Sequence, residues 1–484
     1  SAFLARHLDA ASLVENLPRR ERSPERSAFV LEALGGAPED VSAGRLIEEA
    51  ERFARGLGAL GAGRGARVLI VLPTSTDFVF SYWGTLFAAA TPVPAYPPAG
   101  LAQLASFART LRGMLLACGA PLLVAPELLR EVLRDAGESL PTGVRLVTPE
   151  EVRAAAPDGA PLPAPPGAND LALIQFSSGS TGDPKGICLT HTNVLANVTA
   201  FLSRLGVTEE DGCATWLPLY HDMGLIGTML GPMMIEAPLA LIPPTDFLRR
   251  PAFWLECLGR HRATISVAPQ FAFNLCLRKI KPEELAGGDL SALRVLTNRA
   301  EPIHADAVRA FEERLAPLGL RRGVVTPCYG LAEGTLAAAM VVPGSPVQVR
   351  TAAGGATARA TSVGPAMDGL EIAIRSIDGD WCAEGSVGEI CLRGPSICRG
   401  ILGADGERRA TDDEGWLATR DLGFLRDGEL HVTGRIKDLI ILGGRNLYPQ
   451  DLEAVASELP GFRPGRVAAF GVPVAERATE ALVV

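Results

Sequence analysis

Lysine is scarce in this chain. Of its 46 basic residues only Lys185, Lys279, Lys281 and Lys437 are lysines, and all the others are arginines. Arginine is a planar fork and lysine a compact point charge, so a lysine kept in such a background marks a place that a fork does not suit. Paired cysteines are also missing. The nine cysteines are odd in number and contain no C-x-x-C. That spacing excludes a zinc ribbon and argues against a disulfide framework, leaving reduced thiols of a cytoplasmic protein as the expectation. A chain of 484 residues buries enough apolar surface to fold without such staples. Positive charge is in deficit as well. The net charge of −9 makes a poor general binder of nucleic acid or anionic membrane, so neither is expected as a partner. Uninterrupted apolar stretches are rare. SAFLARHLDAASLVENLPRR carries charges throughout and does not read as a signal peptide. Met223–Pro244 is long enough to cross a bilayer, but it holds Glu236, Pro232, Pro238 and three glycines. It is expected to be a buried segment behind a ligand pocket, with no membrane span.

What is present reads as alternating helix and strand. Residues 43–60 repeat apolar positions at helical spacing, Arg67–Leu72 is a short buried strand, and 77–90 is a second helix. Pro121–Val124 and Arg145–Val147 follow as strands, with a helix at Pro126–Ala136 between them. This is an α/β protein with mostly parallel sheet covered by helices. The Pro/Ala/Gly-rich run Ala154–Ala168 holds neither helix nor central strand and reads as a linker or surface crossing. A second α/β unit opens at Leu171–Phe176 and runs to about Met340. A small β-subdomain follows, with strands at Leu370–Ile374 and Gly388–Leu392. The expected layout is a large N-terminal domain over 1–434, in subdomains of about 1–168, 169–340 and 341–434. A hinge at 435–438 and an incomplete small α/β domain at 439–484, ending in mid-strand on ALVV, complete it.

The chemistry concentrates in a few motifs. In Leu171–Leu189, LALIQFSSGSTGDPKGICL, an apolar strand enters a loop of small residues that ends at a lysine. Gly179 and Gly182 let backbone N–H groups approach phosphate oxygens. Ser177, Ser178, Ser180 and Thr181 add hydroxyls, and Lys185 can neutralise a phosphate. It is not a Walker loop, because Gly186 follows the lysine and Pro184 precedes it. In TWLPLYHDMGLIGTML, His221 beside Asp222 could orient a carboxylate, and four methionines (Met223, Met229, Met233, Met234) could line an alkyl pocket or simply pack the core. In TPCYGLAEGT, a single carboxylate at Glu333 suffices for Mg²⁺ when phosphates supply the other ligands.

SSGSTGDPKG resembles the phosphate-binding signature of the adenylate-forming superfamily: acyl-CoA synthetases, luciferases, peptide-synthetase adenylation domains and fatty acyl-AMP ligases. Further motifs follow in that family's order over nearly the whole chain. VPAYPP, LPLYHDMGLIG and YGLAEGTL make the fatty acyl-AMP ligases the group it resembles most. The resemblance implies that Ser178–Gly182 and Lys185 cradle the β- and γ-phosphates of ATP, and that Glu333 and Thr181 hold Mg²⁺. It places Tyr329, next to Gly330, against adenine, gives Asp421 (in ATRDLGFL) and Arg435 the ribose, and sets His221 beside the acyl carboxylate. Lys437 (in TGRIKDLIILGG) falls at the hinge. TNRAEPI, with Ala300, Glu301 and Pro302, matches the adenine-flanking strip, but Arg299 stands where a small Gly is usual. Val341–Thr361 is short and Ala/Gly-rich where the ligase group carries an insertion thought to disfavour CoA.

The implied reaction activates a fatty or other carboxylic acid as acyl-AMP and then passes the acyl group to the phosphopantetheine thiol of an acyl-carrier protein, as in polyketide or lipopeptide biosynthesis. The alternatives are an acyl-CoA synthetase using CoA, an amino- or aryl-acid adenylation domain of a peptide-synthetase or polyketide loading module, and a catalytically silent scaffold. The family's second catalytic lysine falls beyond Val484, so residues 1–484 alone are expected to adenylate weakly or not at all.

Overall fold

The computed structural model describes residues 2–17, 23–98, 104–135, 139–177, 184–285, 287–299, 303, 305–353, 359–438, 440–442, 445–447, 449, 452–453, 456, 467–474 and 479–484. Local pattern turns into structure much as the periodicities require. Ala43–Ala59 is a helix whose buried face runs through Leu46, Ile47, Ala50, Phe53, Ala54 and Leu57, one apolar stripe at helical spacing. Ser42 opens it, its hydroxyl accepting from the Arg45 N–H at 3.2 Å. The strand Arg67–Ile70 and the helices Thr76–Phe87 and Glu127–Asp135 sit where the apolar patterns put them.

The sheets are less local. Thr91–Pro94, Arg67–Ile70, Leu122–Val124 and Arg145–Val147 form a four-stranded parallel sheet in that order. A larger sheet of eight strands runs Ala339–Met340, Val325–Tyr329, Val295–Arg299, Ile265–Pro269, Cys213–Thr215, Leu239–Leu241, Ser27–Leu31 and Glu39–Ser42. Its inner pairings are parallel, and only its two outermost strands are antiparallel. Leu171–Ser177 and Lys185–Thr190 form a hairpin extended by Gly400–Gly403 and Gly406–Arg409. The segments 1–168, 169–340 and 341–434 therefore share sheets. The first contributes two strands to the large sheet, and the third closes the edge of the hairpin sheet. The physical reason is burial: Ile174, Cys188 and Leu402 pack with Leu69, Val71 and Val93 of the parallel sheet in one apolar cluster.

The β-subdomain is a four-stranded antiparallel sheet, Glu371–Arg375, Gly388–Arg393, Leu417–Arg426 and Glu429–Arg435. Val349–Thr351 and Arg359–Thr361 pair beside it, within the stretch read as a shortened insertion. No disulfide joins the nine cysteines, all of which are free. Met223–Pro244 folds as a π-helix at Met223–Leu230, a helical turn at Gly231–Met234 and the strand Leu239–Leu241. Among the described residues no helix is long and apolar enough to cross a membrane.

Candidate active site

In an open parallel sheet, ligands bind in the crevice outside the carboxyl ends of the strands. Thr215, Arg299 and Tyr329 each end a parallel strand of the large sheet, so the segments that follow them share one edge. Those segments carry His221 and Glu333.

The base of the site is a hydrogen-bonded set in which Tyr329 and Asp421 are buried and Arg435 is exposed. The Tyr329 hydroxyl donates to Asp421 Oδ2 at 2.7 Å, and Arg435 Nε donates to Asp421 Oδ1 at 3.2 Å. Asp421 and Arg435 face each other across adjacent antiparallel strands, which fixes their approach. The structure thus brings together three residues that the sequence separates by a hundred positions. Burial pushes the Asp421 carboxyl up, while Tyr329 and Arg435 pull it back only in part. The Tyr329 phenol is raised by burial and by the neighbouring Asp421 charge. Glu333, in the turn Ala332–Gly334, is also raised, first by burial and then by Asp421 and Asp222. Gly330 permits that turn: a Cβ there would lie 1.8 Å from the Leu336 carbonyl oxygen. Thr335, φ +70°, and Arg420, φ +64°, hold left-handed backbone beside Glu333 and Asp421. For a β-branched residue that is strained.

A second set lies on the sheet edge above. His221 Nδ1 is 2.6 Å from Asp222 Oδ1, and Arg299 Nη2 donates to Asp222 Oδ2 at 3.0 Å. Asp222 is buried. Burial raises its carboxyl, but Arg299 and His221 outweigh that and hold it well below the usual carboxylate range. With Nδ1–H donating to Asp222, the half-exposed imidazole presents Nε2 outward. Gly224 lets this helix start against Pro218, since a Cβ there would meet the Pro218 carbonyl oxygen at 2.2 Å.

Backbone and side-chain bonds tie the hairpin to both sets. Lys185 pairs with Ser177 across the hairpin base. Gln175 Nε2 donates to the carbonyl of Tyr220, next to His221, at 2.8 Å. Gly400 and Leu402 pair with Cys188 and Gly186, and the Cys398 N–H, just before them, donates to the Glu333 carbonyl at 2.8 Å. Lys185 is half-buried and Lys437 exposed in the turn Ile436–Asp438, and neither pairs with a carboxylate among the described residues. Ser178, Gly179, Ser180, Thr181, Gly182, Ala300, Glu301 and Pro302 lie outside the described residues.

No group of three or more His, Cys, Asp or Glu able to hold a metal occurs among the described residues. Glu333 nevertheless fits a Mg²⁺ ion that arrives with phosphates: no cation pairs with its carboxylate among the described residues, and neighbouring carboxylates concentrate negative charge around it.

The residue reading missed two participants. Gln175 sits inside an apolar strand and Arg299 ends one, and a polar side chain in such a run is the signal that could have found both. Of the four methionines, Met223 lines the apolar cavity beneath this edge, and the other three are buried elsewhere in the packing. Asp246, in the helix Pro244–Arg249, accepts from the Leu34 N–H at 2.9 Å and pairs with Arg249 at 2.9 Å.

Residues 18–402 match the AMP-binding enzyme family. The chain is 35% identical over 457 residues to the long-chain-fatty-acid–AMP ligase FadD26 of Mycobacterium marinum, covering 87% of this chain and 76% of that one. It is 32% identical over 441 residues to the medium-chain-fatty-acid–[acyl-carrier-protein] ligase JamA of Moorena producens, covering 85% and 74%. A solved structure from work on the fatty acyl-adenylate ligases of E. coli and L. pneumophila superposes with a TM-score of 0.88 at 33% identity, over 99% of this chain and 88% of the other. The match to the family over most of the chain, on a fold that gathers Tyr329, Asp421, Arg435 and Glu333 at one sheet edge, makes this chain a member of the AMP-binding enzymes.

Proposed function

We propose that this chain activates a fatty or other carboxylic acid with ATP, releasing pyrophosphate, and hands the acyl group to the phosphopantetheine thiol of an acyl-carrier protein. The observation that carries the reading is the buried Tyr329–Asp421 pair, met from the exposed side by Arg435, beside Glu333. A carboxylate fixed between a phenol and a guanidinium is an acceptor aimed at paired hydroxyls such as those of ribose.

In the reaction a carboxylate oxygen of the acid attacks the α-phosphorus. The bond from that phosphorus to the bridging oxygen breaks, and pyrophosphate leaves. The chain supplies positioning and charge: Asp421 and Arg435 hold the ribose, the Tyr329 ring lies against the base, and Lys185 with the Ser178–Gly182 loop neutralises the departing phosphates. Glu333 with Thr181 would hold Mg²⁺, which would supply charge neutralisation to the phosphates. His221, kept in one orientation by Asp222, faces the acid. Next, the carrier's sulfur attacks the acyl carbon and AMP leaves. Residues 435–438, with Lys437, serve as the hinge between the domain over 1–434 and the one beginning at 439.

Asp222 and Asp246 bear on the amino-acid alternative. Both carboxylates are already engaged, Asp222 by Arg299 and His221 and Asp246 by Arg249 and a backbone N–H. The charge of each is already balanced by an arginine, so neither offers net negative charge to a substrate ammonium, which favours acids without an α-amino group. FadD26 and JamA support fatty acids as the substrate class, and JamA supports a carrier protein as acceptor.

The test is mass spectrometry of adenylates formed by the full-length protein from a panel of fatty, aryl and amino acids, followed by a choice between CoA and a loaded carrier. Acyl-AMP from fatty acids and transfer to the carrier are expected. Adenylates from amino acids alone, or none at all, would overturn the proposal.

A further inference from the structure

The helix His191–Arg204 starts where the strand Lys185–Thr190 ends, and its two asparagines, one turn apart, are both buried. Asn193 closes the helix start, its Oδ1 accepting from the Thr190 N–H at 2.9 Å. Its Nδ2 donates to the carbonyls of Pro395 and Ile397 at 2.8 and 2.9 Å. Asn197 grips the segment that carries Glu333. Its Nδ2 donates to the Ala337 carbonyl at 2.8 Å and to the Gly334 carbonyl at 3.3 Å, and its Oδ1 accepts from the Ala337 N–H at 3.0 Å. A carboxamide both donates and accepts, so one side chain takes both backbone groups of Ala337; a carboxylate could not donate at all. The two gripped segments also hold each other. The Cys398 N–H donates to the Glu333 carbonyl at 2.8 Å, and the Thr335 hydroxyl donates to the Ser396 carbonyl at 2.6 Å. Thr335 keeps its left-handed backbone, φ +70°, between these bonds, and such backbone persists only where its surroundings over-determine it.

We propose that Asn197 is a positioning residue for Glu333. It fixes the turn Ala332–Gly334 to the helix that continues the Lys185 strand, and so sets where the carboxylate stands relative to the lysine. The inference rests on the ATP-activating reading above, in which Glu333 would hold Mg²⁺ and Lys185 meets the phosphates. A carboxylate on a three-residue turn takes its place from the backbone, and this backbone takes its place from Asn197. Groups that orient a metal ligand matter nearly as much as the ligand, and losing one costs about ten- to a hundredfold in metal affinity. The Tyr329, Asp421 and Arg435 set rests on strands of its own, so the nucleoside end of the site should not feel the change.

The experiment measures binding by the full-length protein, with Mn²⁺ as the probe. Free Mn²⁺ is read by electron paramagnetic resonance in the presence of α,β-methylene-ATP, and AMP binding is read by calorimetry. Asn197→Leu keeps the branching and the number of heavy atoms and removes all three hydrogen bonds. It should raise the Mn²⁺ Kd by about tenfold and leave the AMP Kd within about twofold. With Glu333→Gln already in place, the same substitution should weaken Mn²⁺ by less than about twofold, because the two act as one unit. Leu57→Ala, in the core under the helix Ala43–Ala59, should lower the melting temperature with Mn²⁺ binding unchanged, which separates positioning from stability. Should Asn197→Leu fail to fold, Asn197→Ala leaves room for a water at Ala337 and should still cost about threefold in Mn²⁺ affinity. Unchanged Mn²⁺ affinity in a folded variant, an equal loss for AMP, or a full loss that persists beside Glu333→Gln would overturn the inference while leaving acid activation intact. Mn²⁺ affinity unmoved by Glu333→Gln alone would overturn both the inference and the metal assignment beneath it.

Discussion

Replacing Asp421 by Asn should move stability and nucleotide affinity in opposite directions. The Asp421 carboxylate is buried, accepts from Tyr329 at 2.7 Å, and is paired with Arg435 at 3.2 Å. Asn keeps the shape and one acceptor oxygen but loses the charge. A hydrogen bond to a charged group contributes about 1.5–3 kcal/mol and a neutral one about 1. Across two ribose hydroxyls the loss is about 2 kcal/mol, which is about 30-fold in KM for ATP at 1.36 kcal/mol per decade. The turnover number should change little, because the contact is made equally before and during the reaction. Stability follows the raised Asp421 carboxyl. A carboxyl whose folded-state value lies above its unfolded value binds more protons folded than unfolded, so the wild type loses stability as pH rises out of the acid range. The Asn variant has no such loss. It should melt higher than wild type at pH 7, and the gain should vanish near pH 4 and below. The Arg435 pair barely opposes this, since the arginine is largely exposed and such pairs contribute under about 1 kcal/mol. Steady-state kinetics and thermal melts from pH 4 to 8 measure both. An ATP KM within about twofold of wild type, in a variant with native near-UV dichroism, would refute the ribose assignment.

Other outcomes follow from the same geometry. Lys185→Ala should retain the fold and lose about ten- to a hundredfold in pyrophosphate exchange, the value of one charge-assisted contact; unchanged exchange would remove Lys185 from the site. Glu333→Gln should raise the Mg²⁺ concentration for half-maximal rate by about tenfold, read by titration at fixed ATP. It should also melt higher than wild type, increasingly so from pH 4 to 7, because burial raises the Glu333 carboxyl in the folded protein. Gly224→Ala should destabilise by about 1–3 kcal/mol in urea unfolding, because its Cβ meets backbone at Pro218 that cannot swing aside. A midpoint unchanged from wild type would mean that the helix start can shift.

How much of this was legible beforehand depended on how local the cause is. The helix at Ala43–Ala59 and the strands at Arg67–Ile70 and Arg145–Val147 arise from spacing within a dozen residues, and the apolar pattern places them. The strand Ser27–Leu31 was not foreseen. It is short, and its neighbour Leu239–Leu241 lies some two hundred residues on, so nothing near it in the chain announces the pairing. The same limit explains the shared sheets, since no local pattern links Lys185–Thr190 to Gly400–Gly403. Within the site, the motif residues Tyr329, Asp421 and Arg435 stand out in the sequence and the fold brings them together, whereas the arginine at 299 read only as a departure from pattern. Its reason, the buried Asp222, becomes visible once the strand and the helix lie side by side.

The late strands at the hairpin edge carry a consequence for biogenesis. As the chain leaves the ribosome, Lys185–Thr190 emerges with one flank open, and it stays open until Gly400–Gly403 has been synthesised. For that interval the nascent protein exposes a β edge, the kind of surface on which neighbouring chains aggregate. Ser27–Leu31 waits in the same way for Leu239–Leu241. Folding of the large domain is thereby biased toward a late, cooperative closure, and a chain cut short before residue 400 would leave the strand that opens with Lys185 without its outer neighbour.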